Sequence, residues 1–377
     1  MSGIVGVDIG TTAVRAVRLS GLDADGYAVI SSFAVVPLRL DAVHGGAIRN
    51  QAAVATAVQD ACEKVGSRKN VVLGAIAPEA AVGRLWLPSA VKASERLAAI
   101  TTQGIQVAPA IMPQDAVLSV SEVGLETSAD GRSTVALNVA ATTSEEVEAL
   151  SQVAARAKVR LRAIDLLGAG TLRALVRDVP GSRDVTCIVD IGASTTRVVT
   201  REGLVVRSIR TFPNGGNDLT RALAAVAKES FEEAERRKQL MRLPATVERD
   251  TAQRTSYAGL DDDDEYVRQM NQQNAVDRAL AAATELLIEQ IANAVELDAT
   301  RSDVSARVVT LCGGSALLRG LKERLSRRLG VEVRLGHPWA RLEHSKEHVE
   351  HFLGGAEDPK LMLSLVNAVG LALWSES

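Results

Sequence analysis

Two short stretches of the chain each combine an aspartate with a glycine turn and hydroxyl side chains. The residues in matching places are Asp8, Gly10, Thr11 and Thr12 in the first stretch and Asp190, Gly192, Ala193, Ser194 and Thr195 in the second. Glycine lets the backbone approach a ligand closely, consecutive N–H groups can form a nest for an anion, and hydroxyl groups add donors. The pattern predicts that the two turns grip the triphosphate tail of one nucleotide between them.

A cation is expected between the two aspartates. Asp8 and Asp190 would face the same anion, and they would repel it unless a positive charge intervened. Mg²⁺ suits this place because it keeps several water ligands and binds through one or two carboxylates. The sequence therefore predicts Mg²⁺ held through water by Asp8 and Asp190. Taken singly, either stretch could be an ordinary turn, since Asp and Gly are common turn residues.

The segments around the two turns predict two halves of similar design. A strand follows each turn, whereas a P-loop or a dinucleotide motif leads into a helix, so those two motifs are excluded. The predicted strands lie at 4–7, 14–19, 27–38 and 71–76 in the first half and at 185–190, 195–200, 204–210, 307–311 and 331–335 in the second. The predicted helices lie at 47–65, 219–226, 230–240, 275–299 and 317–329. The expected fold is α/β, with two repeated βββαβ(α) halves around a nucleotide cleft.

The order of predicted strands and helices changes between residues 79 and 165, which predicts an inserted α+β subdomain. Strands are predicted at 81–87, 116–125, 134–141 and 159–164, and helices at 94–103 and after the capping box of Thr142 and Glu145. The order β-α-β-β-α-β in fewer than a hundred residues is typical of a compact unit.

Composition excludes several classes of protein. The 377 residues are 46% hydrophobic and 24% charged with a formal net charge of −3, so no excess of positive charge indicates nucleic-acid binding. Three cysteines, far apart in the sequence, argue against a disulfide framework or a zinc site. We find no signal peptide, and no apolar run approaches the roughly 20 residues that span a bilayer. A cytoplasmic protein without direct membrane insertion is expected.

A third motif connects the chain to a known superfamily. The segment 308–321 is a buried strand, a turn of Gly313, Gly314 and Ser315, and a helix. It resembles the adenosine motif of the actin-like ATPases, whose two phosphate motifs would be residues 8–15 and 190–195. The lysine position of the first phosphate motif is Arg15 here. Gly215 and Gly216, followed by a helix with Glu235 and Lys238, resemble the part of FtsA and the heat-shock chaperone ATPases that contacts ribose and adenine. The resemblance implies ATP and Mg²⁺ as cofactors.

Within the superfamily, the chain resembles the PilM family of type IV pilus assembly proteins. The inserted unit, the segment Leu85-Trp86-Leu87-Pro88 and the ending 368–373 carry this resemblance. It implies an ATP-binding adaptor recruited to the inner face of the cell membrane. The partner would be a PilN-like inner-membrane protein, whose cytoplasmic N-terminal peptide would lie in the groove between subdomains 1A and 1C. The assembly would be linked to the pilus motor ATPases.

The resemblance also implies a division into subdomains. Subdomain 1A would comprise 1–78 and 340–377, and the inserted 1C, or SHS2-like, subdomain would comprise 79–165. Subdomain 2A would comprise 166–213 and 275–339. Subdomain 2B would comprise 214–274, where the acidic run 261–265 is expected to be a solvated, flexible loop.

The sequence provides little for catalysis. Actin places a water-positioning glutamine in the helix after the last strand of the first half, but 166–172 contains neither Gln nor Glu. Asp165 is the only nearby carboxylate, and a capping role suits it better. Hydrolysis needs an oriented water, so we expect slow ATP hydrolysis at most.

Two other functions stay open. An FtsA-like cell-division filament protein would continue into a linker and an amphipathic membrane helix, for which the chain offers no candidate stretch. A kinase of the acetate or sugar kinase type would need an acidic base at the cleft, for which Asp165 is a poor candidate.

Three histidines near the C-terminus have the spacing of a metal site. His344, His348 and His351 would share one face of a helix, but the charged residues around them favour a solvated segment.

Overall fold

A computed structural model describes residues 3–22, 28–103, 107–127, 131–176, 182, 184–203, 205–243, 265–302, 306–336 and 358–374. The strands are β1 Val5–Ile9, β2 Ala13–Leu22, β3 Ala28–Pro37, β4 Val43–His44, β5 Ala47–Ile48, β6 Val71–Ala75, β7 Ala81–Pro88, β8 Ala116–Thr127, β9 Ser133–Thr143, β10 Leu161–Leu166, β11 Val185–Ile191, β12 Thr196–Glu202, β13 Val205–Phe212, β14 Val308–Cys312 and β15 Glu332–Leu335. The α-helices are α1 Gln51–Lys64, α2 Ala93–Gln103, α3 Ser144–Arg156, α4 Leu167–Leu175, α5 Gly216–Ala227, α6 Phe231–Leu240, α7 Glu265–Ser302, α8 Leu321–Leu329, α9 Pro359–Ser364 and α10 Val366–Ala372.

The two halves of the chain build the same five-stranded arrangement. The first sheet has the order β10-β6-β1-β2-β3, and the second contains the order β15-β14-β11-β12-β13. Strands β1 and β2 are antiparallel, as are β11 and β12. Strands β1 and β6 are parallel, as are β11 and β14. The central strands β1 and β11 are buried on both faces, as their apolar sequences require. The predicted α/β class and the repeat of two halves are confirmed.

The inserted unit differs from its prediction at its C-terminal end. Strand β10, which we assigned to this unit, pairs in parallel with β6 and so completes the first sheet. Helix α3 also joins the first half, because Leu150, Val153 and Ala154 are buried in the main core that includes α1. The remaining strands β7, β9 and β8 form an antiparallel extension of the second sheet, where Ile209 of β13 pairs with Val82 of β7. The subdomain boundaries as such stay a prediction.

The cap of α3 lies one residue later than predicted. Thr143, not Thr142, is the N-cap residue, and its side chain accepts a hydrogen bond from the Glu146 N–H. Glu146 is therefore the residue that turns back toward the helix start. Its Oε2 accepts a hydrogen bond from Thr142 Oγ1, and its Oε1 accepts from the N–H groups of Ile76 and Ala77. This buried carboxylate joins α3 to the end of β6.

Other helices also have different limits from those expected. The helix predicted at 47–65 begins only at Gln51, because residues 47–48 form β5 and Asn50 is the N-cap residue. Helix α7 extends from residue 265 to 302, beyond the predicted 275–299 at both ends. The helix predicted at 317–329 begins only at Leu321. Leu317 belongs to a preceding 3₁₀ turn, Gly314–Leu317, and Gly320 adopts a φ of 90° between the turn and α8. The left-handed conformation of Gly320 ends the first turn before the second helix begins.

The C-terminal helix α10 is packed against the first sheet through glycines. A Cβ atom at Gly6 of β1 would come within 2.1 Å of the Ala368 carbonyl oxygen, and one at Gly370 within 1.7 Å of the Gly170 carbonyl oxygen. The missing side chains let α10 approach both β1 and α4 closely, which brings Asn367 to the edge of the cleft.

Some predictions fall outside the described residues. These are the histidine cluster at 344–351 and the acidic residues 261–264. Among the described residues, no group of three or more His, Cys, Asp and Glu side chains could hold a metal ion. None of the described helices combines the length and apolar character that crossing a bilayer would require.

Replacing Glu146 tests the junction between α3 and β6. In Glu146→Ala the two backbone N–H groups lose their acceptor, so we expect the free energy of unfolding to fall by about 2–4 kcal/mol, measured by urea denaturation. Glu146→Gln keeps one acceptor oxygen and can donate to Thr142, so its loss should be smaller. Equal losses in the two variants would contradict the assigned hydrogen bonds.

The difference in stability between the native protein and Glu146→Gln should depend on pH. Burial raises the pKa of Glu146 above its ordinary value, although the hydrogen bonds from Thr142, Ala77 and Ile76 oppose this shift. The folded state therefore binds this proton more tightly than the unfolded state. The stability of the native protein relative to Glu146→Gln should fall as the pH rises through the pKa of the folded state. A difference that is constant with pH would show that Glu146 does not titrate in this way.

Candidate functional site

The two aspartate-glycine turns are built in the same way. In β1 and β2 the register pairs Asp8 with Arg15, and in β11 and β12 it pairs Asp190 with Arg197. The Gly10 N–H donates to the Ala13 carbonyl at 3.0 Å, and the Gly192 N–H donates to the Thr195 carbonyl at 2.9 Å. Each turn is thus a tight hairpin with a carboxylate at the end of its first strand.

The turns meet across the cleft. Thr11 Oγ1 and Ser194 Oγ are hydrogen-bonded to each other, although the residues are 183 positions apart in the sequence. This contact brings the first turn of each half together. The sequence reasoning required such proximity if both turns bind one polyphosphate.

Both aspartates are buried beside arginine side chains. Asp8 is 5% exposed and Asp190 is 7% exposed. Asp8 Oδ2 lies 3.9 Å from Arg15 Nη1, and Asp190 Oδ2 lies 3.3 Å from Arg197 Nη1. Burial raises the pKa of Asp8 to about 6, the nearby charge of Asp190 adds to this shift, and Arg15 and Arg197 oppose it. The region where the turns meet therefore favours a species that compensates negative charge.

Asp190 also connects to the first half. Asn367 Nδ2 of α10 donates to Asp190 Oδ2 at 3.0 Å, and Asn367 Oδ1 accepts from Thr171 Oγ1 of α4 at 2.7 Å. One acid of the second half is thus held by a helix that packs on the first sheet.

The start of α5 lies directly on the second turn. The Gly216 N–H donates to the Gly192 carbonyl at 3.0 Å, and the Asn217 N–H donates to the Ala193 carbonyl at 2.7 Å. A Cβ atom at Gly215 would come within 2.7 Å of the Gly192 carbonyl oxygen, so only glycine fits this approach. The side chain of Asp218 accepts from the Gly215 N–H at 2.8 Å and caps the helix.

The third glycine turn reaches the same place. Ser315 Oγ donates to the Gly192 carbonyl at 3.0 Å. Gly313 has a φ of 82°, and a Cβ atom there would come within 2.5 Å of Asp190 Oδ1. The predicted adenosine motif therefore lies against the second phosphate motif, with the Gly313 backbone beside the Asp190 carboxylate and the Ser315 side chain on the Gly192 carbonyl.

Helix α6 supplies a buried ionic group beside α5. Lys238 Nζ lies 2.6 Å from Glu235 Oε2 and donates to the Gly216 carbonyl at 2.8 Å and to Thr220 Oγ1 at 2.7 Å. Burial lowers the pKa of Lys238 in spite of the opposing charge of Glu235. This group fixes α6 against the first turn of α5.

The structure therefore brings together nearly all residues that the sequence singled out. Two of these residues make fewer contacts within the group. The Thr12 side chain is exposed, and its carbonyl accepts from the Leu38 N–H at 2.9 Å. Gly314 has open space where a side chain would stand. Asp165 does not join the group. Its Oδ1 accepts from the Leu166 N–H at 2.9 Å and its Oδ2 pairs with Arg173. Whether each residue binds a ligand stays a prediction.

Three residues of the site were missed by the sequence analysis. Arg197 had a signal, because it follows Asp190 by the same seven positions that separate Arg15 from Asp8. Asn367 is a polar residue in an apolar helical segment, which indicates a partner for its amide. Thr220 carried no pattern of its own, since its contact with Lys238 depends on how α5 and α6 pack.

The geometry is suited to an anion with a neighbouring cation. Two glycine turns, two hydroxyl groups and two guanidinium groups face one small region, together with two carboxylates. Such a set can bind phosphate oxygens through donors and a hydrated divalent ion through acids.

The sequence matches the family model of the type IV pilus assembly protein PilM over residues 6–253. The model of the cell division protein FtsA matches residues 187–364. No curated protein matches the sequence.

Solved structures show the same fold. The "PilM-PilN type IV pilus biogenesis complex" is 20% identical, with a TM-score of 0.74 over 98% of both chains. The ethanolamine utilization protein EutJ from Carboxydothermus hydrogenoformans is 19% identical, with a TM-score of 0.50 over 99% of this chain and 89% of that one. Because the PilM model covers more than half of the chain, this protein belongs to the PilM family of type IV pilus assembly proteins and has the actin-like ATPase fold.

Proposed function

We propose that this protein binds ATP and Mg²⁺ between its two turns and serves as a cytoplasmic adaptor in a type IV pilus or related assembly machine. Its partner would be the cytoplasmic N-terminal peptide of a PilN-like inner-membrane protein, which would recruit it to the membrane and link it to the motor ATPases. The observation that carries the nucleotide part is the contact between Thr11 and Ser194, because it joins two turns of separate halves.

Polyphosphate suits the donors at this place. Arg15 Nε is buried and has no hydrogen-bond partner among the described residues, and such a donor is costly unless an acceptor reaches it. The Thr11 and Ser194 hydroxyls and the N–H groups of the two turns would supply further donors to phosphate oxygens.

Mg²⁺ suits the two acids. Burial together with the charge of Asp190 raises the pKa of Asp8 to about 6, and a divalent cation would offset both effects. Two carboxylates are few for a metal site, but Mg²⁺ completes its shell with water and phosphate oxygens. Asp8 and Asp190 would hold it, and it would neutralise phosphate charge.

The nucleoside would lie beside α5 and α6. Gly215, Gly216, Gly313 and Ser315 form a close-packed backbone surface next to Glu235 and Lys238. A carboxylate that accepts from ribose hydroxyls and a flat glycine surface for the base would fit there.

Slow hydrolysis at most is proposed. Asp165 is the candidate base that the sequence offered, and both of its oxygens are already engaged by Leu166 and Arg173. We therefore assign Asp165 a structural role and attribute function to binding.

An FtsA-like role is the second candidate, because the FtsA model matches residues 187–364. Such a protein assembles on a lipid surface. The PilM model covers a longer part of the chain and includes the inserted unit, so the adaptor role is preferred.

Replacing the two acids tests the nucleotide site. Asp8→Asn and Asp190→Asn should each lower the affinity for ATP in the presence of Mg²⁺ by about tenfold or more, since each removes a charge that holds the ion. Isothermal titration measures this effect. Asp184→Asn, an exposed residue just before β11, is the control and should bind ATP as the native protein does. Unchanged affinity in both cleft variants would exclude this site.

Replacing Glu235 tests the nucleoside end. Glu235→Ala should weaken ATP and ADP by the same factor, about five- to tenfold, because it acts away from the terminal phosphate. The ratio of the two dissociation constants is the readout. A loss confined to ATP would place Glu235 near the γ-phosphate and contradict the assigned orientation.

A peptide experiment tests the adaptor role. A synthetic peptide of the cytoplasmic N-terminus of a PilN-like protein, taken from the same gene cluster, should bind with a dissociation constant in the micromolar range or tighter. A peptide of the same composition in scrambled order is the control. Sedimentation with anionic vesicles should leave the protein in the supernatant. Co-sedimentation with vesicles without peptide binding would favour the FtsA-like role instead.

A further inference from the structure

The repeated hairpins place one arginine beside each acid of the cleft. Arg15 follows Asp8, and Arg197 follows Asp190, at the same spacing and with the same cross-strand pairing. The phosphate motifs known from the resemblance assign a cation only at Arg15. Arg197 is the equivalent residue of the second half, and its side chain is the more buried, at 6% exposure against 17%.

Arg197 acts on more than its own partner. Besides contacting Asp190, its positive charge opposes the burial that raises the pKa of Asp8 in the opposite half and of Glu146 at the start of α3. A single guanidinium therefore contacts one buried carboxylate and acts electrostatically on two others, which belong to different elements.

Both arginines are held loosely by their acids. The distances of 3.9 Å for Arg15 and 3.3 Å for Arg197 exceed the 2.7–2.9 Å that is typical of charge-assisted hydrogen bonds. Elsewhere in the described chain, Arg210 Nη2 lies 2.9 Å from Asp298 and Arg328 Nε lies 2.8 Å from Glu289, whereas Arg324 Nη1 lies 3.2 Å from Glu285. Arg15 Nε is buried, and no acceptor reaches it from the part of the chain that the structure describes. These features suit guanidinium groups that can exchange a carboxylate for a stronger anion.

We propose that Arg197 is a phosphate-binding residue that acts together with Arg15. When a nucleoside di- or triphosphate binds, each guanidinium exchanges its contact with an aspartate for hydrogen bonds to the phosphates. This inference rests on the proposed nucleotide site. A guanidinium offers planar, paired donors that match phosphate oxygens. The two aspartates would then be free to hold the hydrated cation. In each aspartate–arginine pair, the arginine would bind the phosphates and the aspartate would bind the cation.

One consequence concerns the metal. Because two fixed positive charges meet the phosphates, part of the affinity for ATP should survive when the divalent ion is removed. A site that relied on Mg²⁺ alone to join acids and phosphates would lose its affinity in a chelator.

The test compares nucleotides in native and variant proteins. Dissociation constants for ATP, ADP and AMP are measured by isothermal titration in Mg²⁺ and in EDTA. Arg197→Gln should weaken ATP by about 10- to 100-fold, as expected for a lost charged hydrogen bond, and should leave AMP nearly unchanged. In EDTA the native protein should retain measurable ATP binding, and Arg197→Gln should lose it.

A matched control separates binding from folding. Arg324 of α8 is buried to a similar degree, with 5% of its side chain exposed, but it pairs with Glu285 of α7 and not with a residue of the two turns. Arg324→Gln should keep the native affinities for all three nucleotides. Circular dichroism checks that each variant is folded, and if Arg197→Gln does not fold, Arg197→Lys replaces it. Lysine keeps the charge but not the paired donors, so the ratio of ATP to AMP affinity should still fall.

The outcomes are distinct. A fall in the ATP to AMP ratio in the Arg197 variant supports the proposal. Equal weakening of ATP, ADP and AMP, or an unchanged ratio, would show that Arg197 only supports Asp190 and would overturn it. Failure of the native protein to bind any nucleotide would instead refute the proposed nucleotide site itself.

Discussion

Two buried carboxylates at the ends of two equivalent strand pairs constrain the architecture of this protein. Asp8 and Asp190 are both buried, and the charge of Asp190 helps to raise the pKa of Asp8. A pair of like charges in such a place is unfavourable unless positive groups are supplied nearby. Arg15 and Arg197 supply them, and Asn367 adds a neutral donor. These three side chains hold the two aspartates in place where the turns meet.

The close approach of backbones is the second constraint. Gly215, Gly216 and Gly313 let α5 and the third glycine turn come within hydrogen-bonding distance of the second hairpin. Gly6 and Gly370 do the same for α10 against β1 and α4. Side chains at these positions would push apart the elements that carry Asp190, Asn367 and Ser315. The glycines therefore determine the spacing of the polar groups, although they provide no chemistry themselves.

Sequence reasoning predicted the features that depend on short segments. The hairpins, the repeat of two halves and the residues of the glycine turns could be recognised because each has a local pattern of apolar, glycine and acidic residues. The placement of β10 could not, since a buried parallel strand looks the same whichever sheet receives it. The cap of α3 was misplaced by one residue because Thr142 and Thr143 are both acceptable caps, and the choice depends on Glu146 reaching β6. The contact of Asn367 with Asp190 joins residues 177 positions apart and left only an unexplained polar residue in an apolar segment.

The bridge between Val82 and Ile209 gives the inserted unit two attachments. By its chain connections it belongs to the first half, where β6 precedes it and α3 follows it, but its strands extend the sheet of the second half. Ile209 is also in contact with α4, where Gly168 leaves no room for a side chain. A rotation of one half against the other would therefore have to break the pairing of Val82 with Ile209 or bend the connections that join the inserted unit to the first half.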